Sequence, residues 1–396
     1  MSALDPGSPP LSPSAAARAR ALPAALLVAG AITSSRIALA NVILVLLLVA
    51  AWRAWRKGAF TGLPAARSLT WPIATFCVAS LLSTALSLDP LESIDALPRL
   101  VVFLLIPLSA ALLDRTWWPR LVAGLAVVAT VLAVWGIVQY FGGADNLENR
   151  ITGPLAHYML YAGWLLLAVL TLSAVLVLSH EPRRWWLALP VLLGTLAIFL
   201  SFTRNAWVGL AAGVLVLAAV WRRRLLLVYP VLAVVVWLAL PAAVLDRAWS
   251  TFDLHQAANY DRLCMVQSGM QMIRDHPLAG VGLNMVPRVY PLYRRDDAPR
   301  WRVPHLHNNP LQIAAERGLP ALAAYLWLIG AFVTTTWRGL RLVDGRRRIA
   351  AAASLAAVVG ITVAGLFEYN FWSAPVQYLT FVLLGLGPGS VWEEES

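Results

Sequence analysis

Lysine is almost absent from this chain of 396 residues: of 31 basic residues only Lys57 is not arginine. Cysteine is scarce too. Cys77 falls in an apolar run and Cys264 in a polar one, so the two are not placed to meet, and no Cys/His spacing suits zinc. A disulfide framework and a zinc ribbon are thereby excluded, and both cysteines read as small packing residues. Charge is thin: 13% of residues are charged and 60% apolar, with a mean hydropathy of +0.70. Those values exclude an ordinary soluble domain. No self-similar halves are evident, which weighs against a transporter built from repeats. No small-residue cleavage site follows the first apolar run, so no removable signal peptide is expected.

What the chain does have is long runs of Leu, Ala and Val. A spanning helix needs about 20 mainly apolar residues, and twelve runs qualify, at about 21–34, 37–52, 69–87, 98–114, 117–141, 154–180, 184–201, 206–221, 224–245, 319–337, 349–368 and 371–387. The expected fold is therefore an all-α polytopic membrane protein with about 12 transmembrane helices. Residues 1–17, rich in Pro and Ser, are expected to form a disordered tail. Residues 18–245 would carry the first nine spans, 246–318 one large polar loop, 319–387 the last three spans and 388–396 a second tail.

The net charge of +11 could suggest nucleic acid, but its distribution points to a bilayer. With the N-terminus inside, the short inner loops hold Arg53, Arg56, Lys57 and Arg67, then Arg115 and Arg120, Arg183 and Arg184, Arg222 to Arg224, and Arg338, Arg341 and Arg346 to Arg348. The short outer loops hold only Arg36, Arg150 and Arg204. Translocation disfavours basic residues in short external loops, so this asymmetry sets the orientation. Trp52, Trp55, Trp117, Trp118, Trp185, Trp186, Trp221 and Trp337 fall at the same inner ends, as an interfacial belt would. The large loop then lies outside and both tails inside.

Within that loop, Asn259-Tyr260-Asp261 is expected to cap a helix running to Arg274, with Leu263, Val266, Met270 and Ile273 on its apolar face. His276-Pro277 ends it and Gly280-Val281-Gly282 makes a tight turn. A second helix, Pro310 to Arg317, is marked by Asn309 as N-cap, Pro310 at the first position and Gln312 as capping-box partner. Gly318 and Pro320 break it before the next span.

Chemistry belongs where this helix starts. His307 immediately precedes it, and the positive pole there favours a neutral, basic imidazole able to take a proton from a hydroxyl. His305, Asn308, Gln312 and Glu316 are candidate supporting residues; Glu316 would orient a histidine or pair with Arg317. Arg204 sits in a short outer turn and Arg262 at the start of the loop helix, with Asp261 as its nearest acid. A charge at the membrane edge is costly unless paired or functional. Two guanidinium groups could grip phosphate oxygens bidentately, and a polyprenyl pyrophosphate presents such phosphates at a membrane surface. Arg99, Arg150, Arg288, Arg294, Arg295, Arg300 and Arg302 read instead as surface or headgroup contacts. Asp89, Glu92 and Asp95 read as a solvated helix start, and no metal site or cofactor is expected.

Three motifs in order, Leu200-Ser201-Phe202-Thr203-Arg204-Asn205-Ala206-Trp207, His276-Pro277-Leu278-Ala279-Gly280-Val281-Gly282, and His307-Asn308 followed after nine residues by Gly318, resemble the bacterial O-antigen ligase family. Thr203-Arg204-Asn205 departs from the commoner Ser-Arg-Gly. The resemblance implies glycosyl transfer on the periplasmic face of the inner membrane, from a glycan on undecaprenyl pyrophosphate to a lipid A–core sugar. It implies His307 as general base, Arg204 and Arg262 on the pyrophosphate, inversion, and no metal. An O-antigen polymerase or a protein O-oligosaccharyltransferase would use similar residues. A lipid-linked glycan transporter could need the arginines but not the base.

Overall fold

The structure is a computed structural model that describes residues 12–60, 67–222, 245, 246, 249 and 256–392. The described residues are helical, with one isolated β-bridge between Asp145 and Arg150. The helices are α1 (Pro13–Ile32), α2 (Ile37–Arg56), α3 (Arg67–Ala85), α4 (Pro90–Ile94), α5 (Leu105–Leu112), α6 (Trp117–Phe141), α7 (Tyr158–Leu178), α8 (Ala188–Leu200), α9 (Arg204–Trp221), α10 (Ala257–Asp275), α11 (Val286–Tyr293), α12 (Asn309–Gly339), α13 (Gly345–Ala364) and α14 (Ala374–Trp392).

Among the described residues ten helical stretches are long and apolar enough to cross a membrane. They coincide with ten of the twelve expected runs, and α14 lies at the twelfth. The ninth, 224–245, lies outside the described residues except for Leu245, as do Arg223, Arg224 and residues 1–11. The fourth run is built differently from the expected continuous helix. It joins α4, a 3₁₀ stretch at Leu97–Leu104 and α5, because Pro98 and Pro107 each withhold a backbone donor. Residues 13–17, expected in the disordered tail, belong to α1: the Ser12 hydroxyl accepts from the Ala15 N–H at 3.3 Å and Pro13 opens the helix. At the other end α14 continues past residue 387 to Trp392.

α7 and α13 form the centre, most of each span being buried. α9 lies against both. A Cβ on Gly209 would stand 2.6 Å from the Gly360 oxygen, and one on Gly213 would stand 2.9 Å from that of Ala356. Small residues four apart let the two backbones touch, which in a bilayer supplies the packing that hydrophobicity cannot. This contact fixes the start of α9, with Arg204, beside the loop that follows α13.

The polar segment has a small core of its own, with Met265, Met272, Val281, Tyr290 and Leu306 packed together. α10 begins at Ala257, one turn off the expected cap, and Gln256 makes no side-chain cap bond. Its buried face is also not the expected one. Asp261, Cys264, Met265, Ser268, Gly269 and Met272 face inward, whereas Leu263, Val266 and Met270 are exposed and only Ile273 packs on the core. Period alone pointed to the wrong stripe because small and polar residues occupy the tight crossing: a Cβ on Gly269 would meet Leu306 at 2.8 Å.

The His276–Gly282 turn crosses the end of the first part of α12. Val281 and Gly282 donate to the oxygens of Ala315 and Glu316 at 2.9 and 3.0 Å, and Leu319 donates back to that of Pro277 at 2.8 Å. Gly318 interrupts α12 there with φ 78°, where a Cβ would stand 2.1 Å from the Leu278 oxygen. Its place in the motif is thus explained by the backbone crossing. Gly318→Ala is expected to destabilise the protein, since the positive φ alone costs roughly 1–3 kcal/mol and the clash adds to it. The check is the thermal midpoint of detergent-purified protein; an unchanged midpoint would mean that the crossing relaxes freely.

Candidate active site

The loop before α12 turns sharply, and His307 takes φ 50°. That turn extends Asn308, whose carboxamide oxygen accepts from the Leu311 N–H at 2.8 Å. The N-cap is therefore Asn308, one residue before the one expected. Asn309, released from capping, ties the loop down instead. Its side chain donates to Asn370 at 2.7 Å and accepts from the Phe371 N–H at 3.1 Å. Gln312 does not close a capping box; its oxygen accepts from the Leu306 N–H at 2.7 Å. Asn309 thus locks the start of α12 to the α13–α14 loop, and Gln312 locks it to the histidine loop.

The α13–α14 loop brings Glu368, which the sequence pattern does not single out. Its carboxylate is buried and lies 2.8 Å from Nδ1 of His307 and 3.5 Å from Nε2 of His305. Burial raises the Glu368 pKa, but the His307 hydrogen bond, the two imidazoles and the Tyr369 N–H outweigh it, so the carboxyl sits below its ordinary value. An ionised Glu368 accepts from Nδ1–H of His307 and leaves Nε2 with a free lone pair. His305 differs: burial foremost holds it down to about 4. It is neutral at pH 7, and its Nδ1 accepts from the His307 N–H at 3.4 Å.

Both histidines and Glu368 line a cavity of about 410 Å³ that also takes in Arg150, His157, Arg204, Arg262 and Arg300. The three principal candidates, Arg204, Arg262 and His307, lie far apart in sequence and meet here. Arg204 Nη2 donates to Asn259 at 2.7 Å. Arg262 is half-buried and makes no ion pair among the described residues. Asp261, expected as its partner, instead accepts from Arg300 Nε at 2.6 Å.

Arg150 and Arg300 were expected at the surface and are part of the wall. Arg150 stacks over Tyr158 at 4.3 Å. Burial lowers its pKa and the nearby Arg262 lowers it further, against an opposing effect of Tyr158. Like charges held this close in a recess mark a place for an anion. His157, also unforeseen, caps α7 by accepting from the Met159 N–H at 3.2 Å through Nδ1. Burial, chiefly, lowers its pKa, and with Nδ1 accepting that bond the donor nitrogen is Nε2.

Glu316 does not orient a histidine. It is buried against Arg317 at 3.1 Å, whose guanidinium also lies over the Trp372 ring at 4.4 Å and donates to the Tyr369 hydroxyl at 3.3 Å. This ion pair braces the loop that carries Glu368. Asp89 and Glu92 pair with Arg288, at 3.0 Å for Asp89, so they are engaged across the polar segment.

The one His/Glu group among the described residues with converging ligand atoms is His305, His307 and Glu368, all within 4.8 Å. Two imidazoles and a carboxylate suit a divalent transition metal, but His307 Nδ1 and Glu368 already engage each other at 2.8 Å. We expect chelators to leave the turnover of purified protein unchanged. Loss of activity in EDTA, restored by a divalent cation, would turn attention to these three residues rather than to Asp89, Glu92 and Asp95.

Comparison with curated proteins returns no match. Residues 189–326 match a family model described as O-antigen ligase. The match runs from the start of α8 into α12 and takes in Arg204, Arg262 and His307, while Arg150, His157 and Glu368 lie outside it. That stretch, about a third of the chain, is thus similar to the O-antigen ligase family, the family its three motifs resemble.

Proposed function

We propose that the protein is an O-antigen ligase: an inverting, metal-independent glycosyltransferase of the inner membrane that works on the periplasmic face. The donor is a glycan on undecaprenyl pyrophosphate and the acceptor a sugar of lipid A–core. The observation that carries the reading is the convergence of Arg150, Arg204, Arg262 and the Glu368-paired His307 on one cavity. The cavity's volume is in the range of small-ligand sites, about 300–1,000 Å³. Only the reacting end of a polymer fits, and the glycan and the polyprenyl chain extend outside it.

In this reading His307 Nε2 takes the proton of the acceptor hydroxyl as its oxygen attacks the anomeric carbon. The new C–O bond forms on one face while the bond to pyrophosphate breaks on the other, and the leaving group departs with the electron pair. Ionised Glu368 stabilises the imidazolium, the role of the acid in a triad. Arg204 and Arg262 stabilise the charge that builds on the leaving group, which a pyrophosphate needs more than a general acid, while Arg150 helps to bind the donor.

Deleting the gene tests the reading. The expected result is lipopolysaccharide without polymer, with lipid-linked polymer accumulating. A single repeat on the core would instead identify a polymerase, and unchanged lipopolysaccharide would reject the assignment to either.

A further inference from the structure

α7, α9 and α13 each connect the histidine cavity to a second cavity at the far end of the bundle. α7 begins at Tyr158 in the first and ends at Leu178 in the second, and α9 likewise runs from Arg204 to Trp221. α13 runs back, from Gly345 in the second cavity towards the loop holding Glu368 in the first. With a rise of about 1.5 Å per residue, the length of α7 sets the two about 30 Å apart, the thickness of a bilayer core. The second cavity encloses about 770 Å³.

Its polar wall carries Arg183, Arg184, Arg346 and Arg348. Glu181 answers only one of them, reaching Arg346 at 3.5 Å with both side chains largely exposed. Arg184 lies against the Trp185 ring at 5.0 Å, and its Nε is shielded from solvent with no hydrogen-bond partner among the described residues. The start of α13 is electrostatically inverted. Arginines fill a first turn that has no acid, and Asp344 at the N-cap makes no side-chain cap bond. Cations oppose the positive pole of a helix; an anion in the cavity would satisfy the pole and the guanidinium groups together. The opposite wall is apolar, with Val122, Val175 and Leu187.

We propose that this cavity binds an anionic phospholipid of the inner leaflet, the phosphate held by Arg184, Arg346 and Arg348 and an acyl chain along the apolar wall. A basic recess between spanning helices at that leaflet has the chemistry that selects acidic headgroups. The site lies outside the transfer chemistry proposed above and stands or falls separately from it.

The test uses the full chain purified in detergent, offered phosphatidylglycerol, phosphatidylcholine or inorganic phosphate. Retained lipid is read by native mass spectrometry and the thermal midpoint is followed in parallel. Phosphatidylglycerol is expected to be retained and stabilising, and phosphatidylcholine neither. Arg184→Gln with Arg348→Gln should weaken retention about thirtyfold, since each basic residue at an anionic surface is worth about fivefold. Arg53→Gln with Arg56→Gln removes equal charge outside the cavity and should leave retention unchanged. Equal losses in the two double variants would reduce the effect to diffuse surface charge and overturn the proposal. Stabilisation by inorganic phosphate matching that by phosphatidylglycerol would overturn the lipid as occupant. Should the cavity variant not purify as a single species, a photoactivatable phosphatidylglycerol on the unaltered protein decides. Label at the end of α7 and start of α13 supports the site, and label spread over the bundle overturns it.

Discussion

His307→Ala is expected to lower transfer by purified protein about a hundredfold to ten-thousandfold, the usual cost of losing a general base, with little change in folded yield. The imidazole is mostly buried, but among the described residues it makes a single side-chain hydrogen bond, to Glu368, and the bends on either side of it are held by other groups. Asn308 caps α12 and Gln312 holds Leu306 without it. Glu368→Gln separates the charge of the acid from its shape. The amide can still accept a hydrogen bond from Nδ1–H, so the ring stays in place, but it cannot stabilise an imidazolium. A loss smaller than that of His307→Ala is therefore expected, and in the double variant the two losses should not add, because both residues serve one proton transfer. His305→Ala should keep substantial activity. His305 is neutral, and its contacts reach Glu368 and the His307 backbone from behind the reacting nitrogen. Near-normal transfer by folded His307→Ala protein would make His307 structural and remove the base from the mechanism.

Much of this site could be read in the sequence, and what escaped did so for physical reasons. The apolar runs sufficed for the architecture of the described residues because a bilayer leaves the backbone few choices. Arg262 and His307 stood out because each lies at a marked helix start in the polar loop, and Arg204 because a charge at a membrane end is expensive. Glu368 met the same criterion, as an acid closing the run 349–368 on the side of the large loop. It was absorbed into the span because hydropathy places a helix end only loosely, and α13 in fact stops at Ala364. Arg150 and Arg300 could not be told from other external arginines, since nothing local marks a guanidinium that faces a recess. The pairing of Asp261 with Arg300 rather than Arg262 follows from a loop folding back across thirty-nine positions, which no short-range pattern encodes. Gln312 was expected as a capping-box partner, but His307's left-handed turn moved the cap to Asn308 and redirected Gln312 to Leu306.

Arg→Lys at Arg204 and Arg262 is the sharpest test of the leaving-group site. Lysine keeps the charge but not the planar fork that grips two phosphate oxygens. If the arginines only follow topology or touch headgroups, lysine should be nearly silent at both positions. If they hold pyrophosphate as charge builds on it, Arg→Lys should impair turnover and Arg→Ala should impair it further, by about a hundredfold to a thousandfold, as when a principal electrostatic donor is removed. The two positions should differ in one respect. Arg204 is held by Asn259, so a lysine there also loses its positioning bond. Arg262 has no ion pair among the described residues, so its loss should fall on the substrate alone and leave stability unchanged. Arg150 supplies an internal control. It shares the cavity with Arg262 closely enough to be disfavoured by it, so Arg150→Gln should weaken donor binding, seen as a raised KM, more than it slows the bound complex. Losses at Arg204 and Arg262 should be less than additive in the double variant, because both act on one leaving group. The measurement is transfer from a lipid-linked donor by detergent-purified protein of verified fold. Full activity in both lysine variants would sink the bidentate clamp while leaving the likeness to the family untouched.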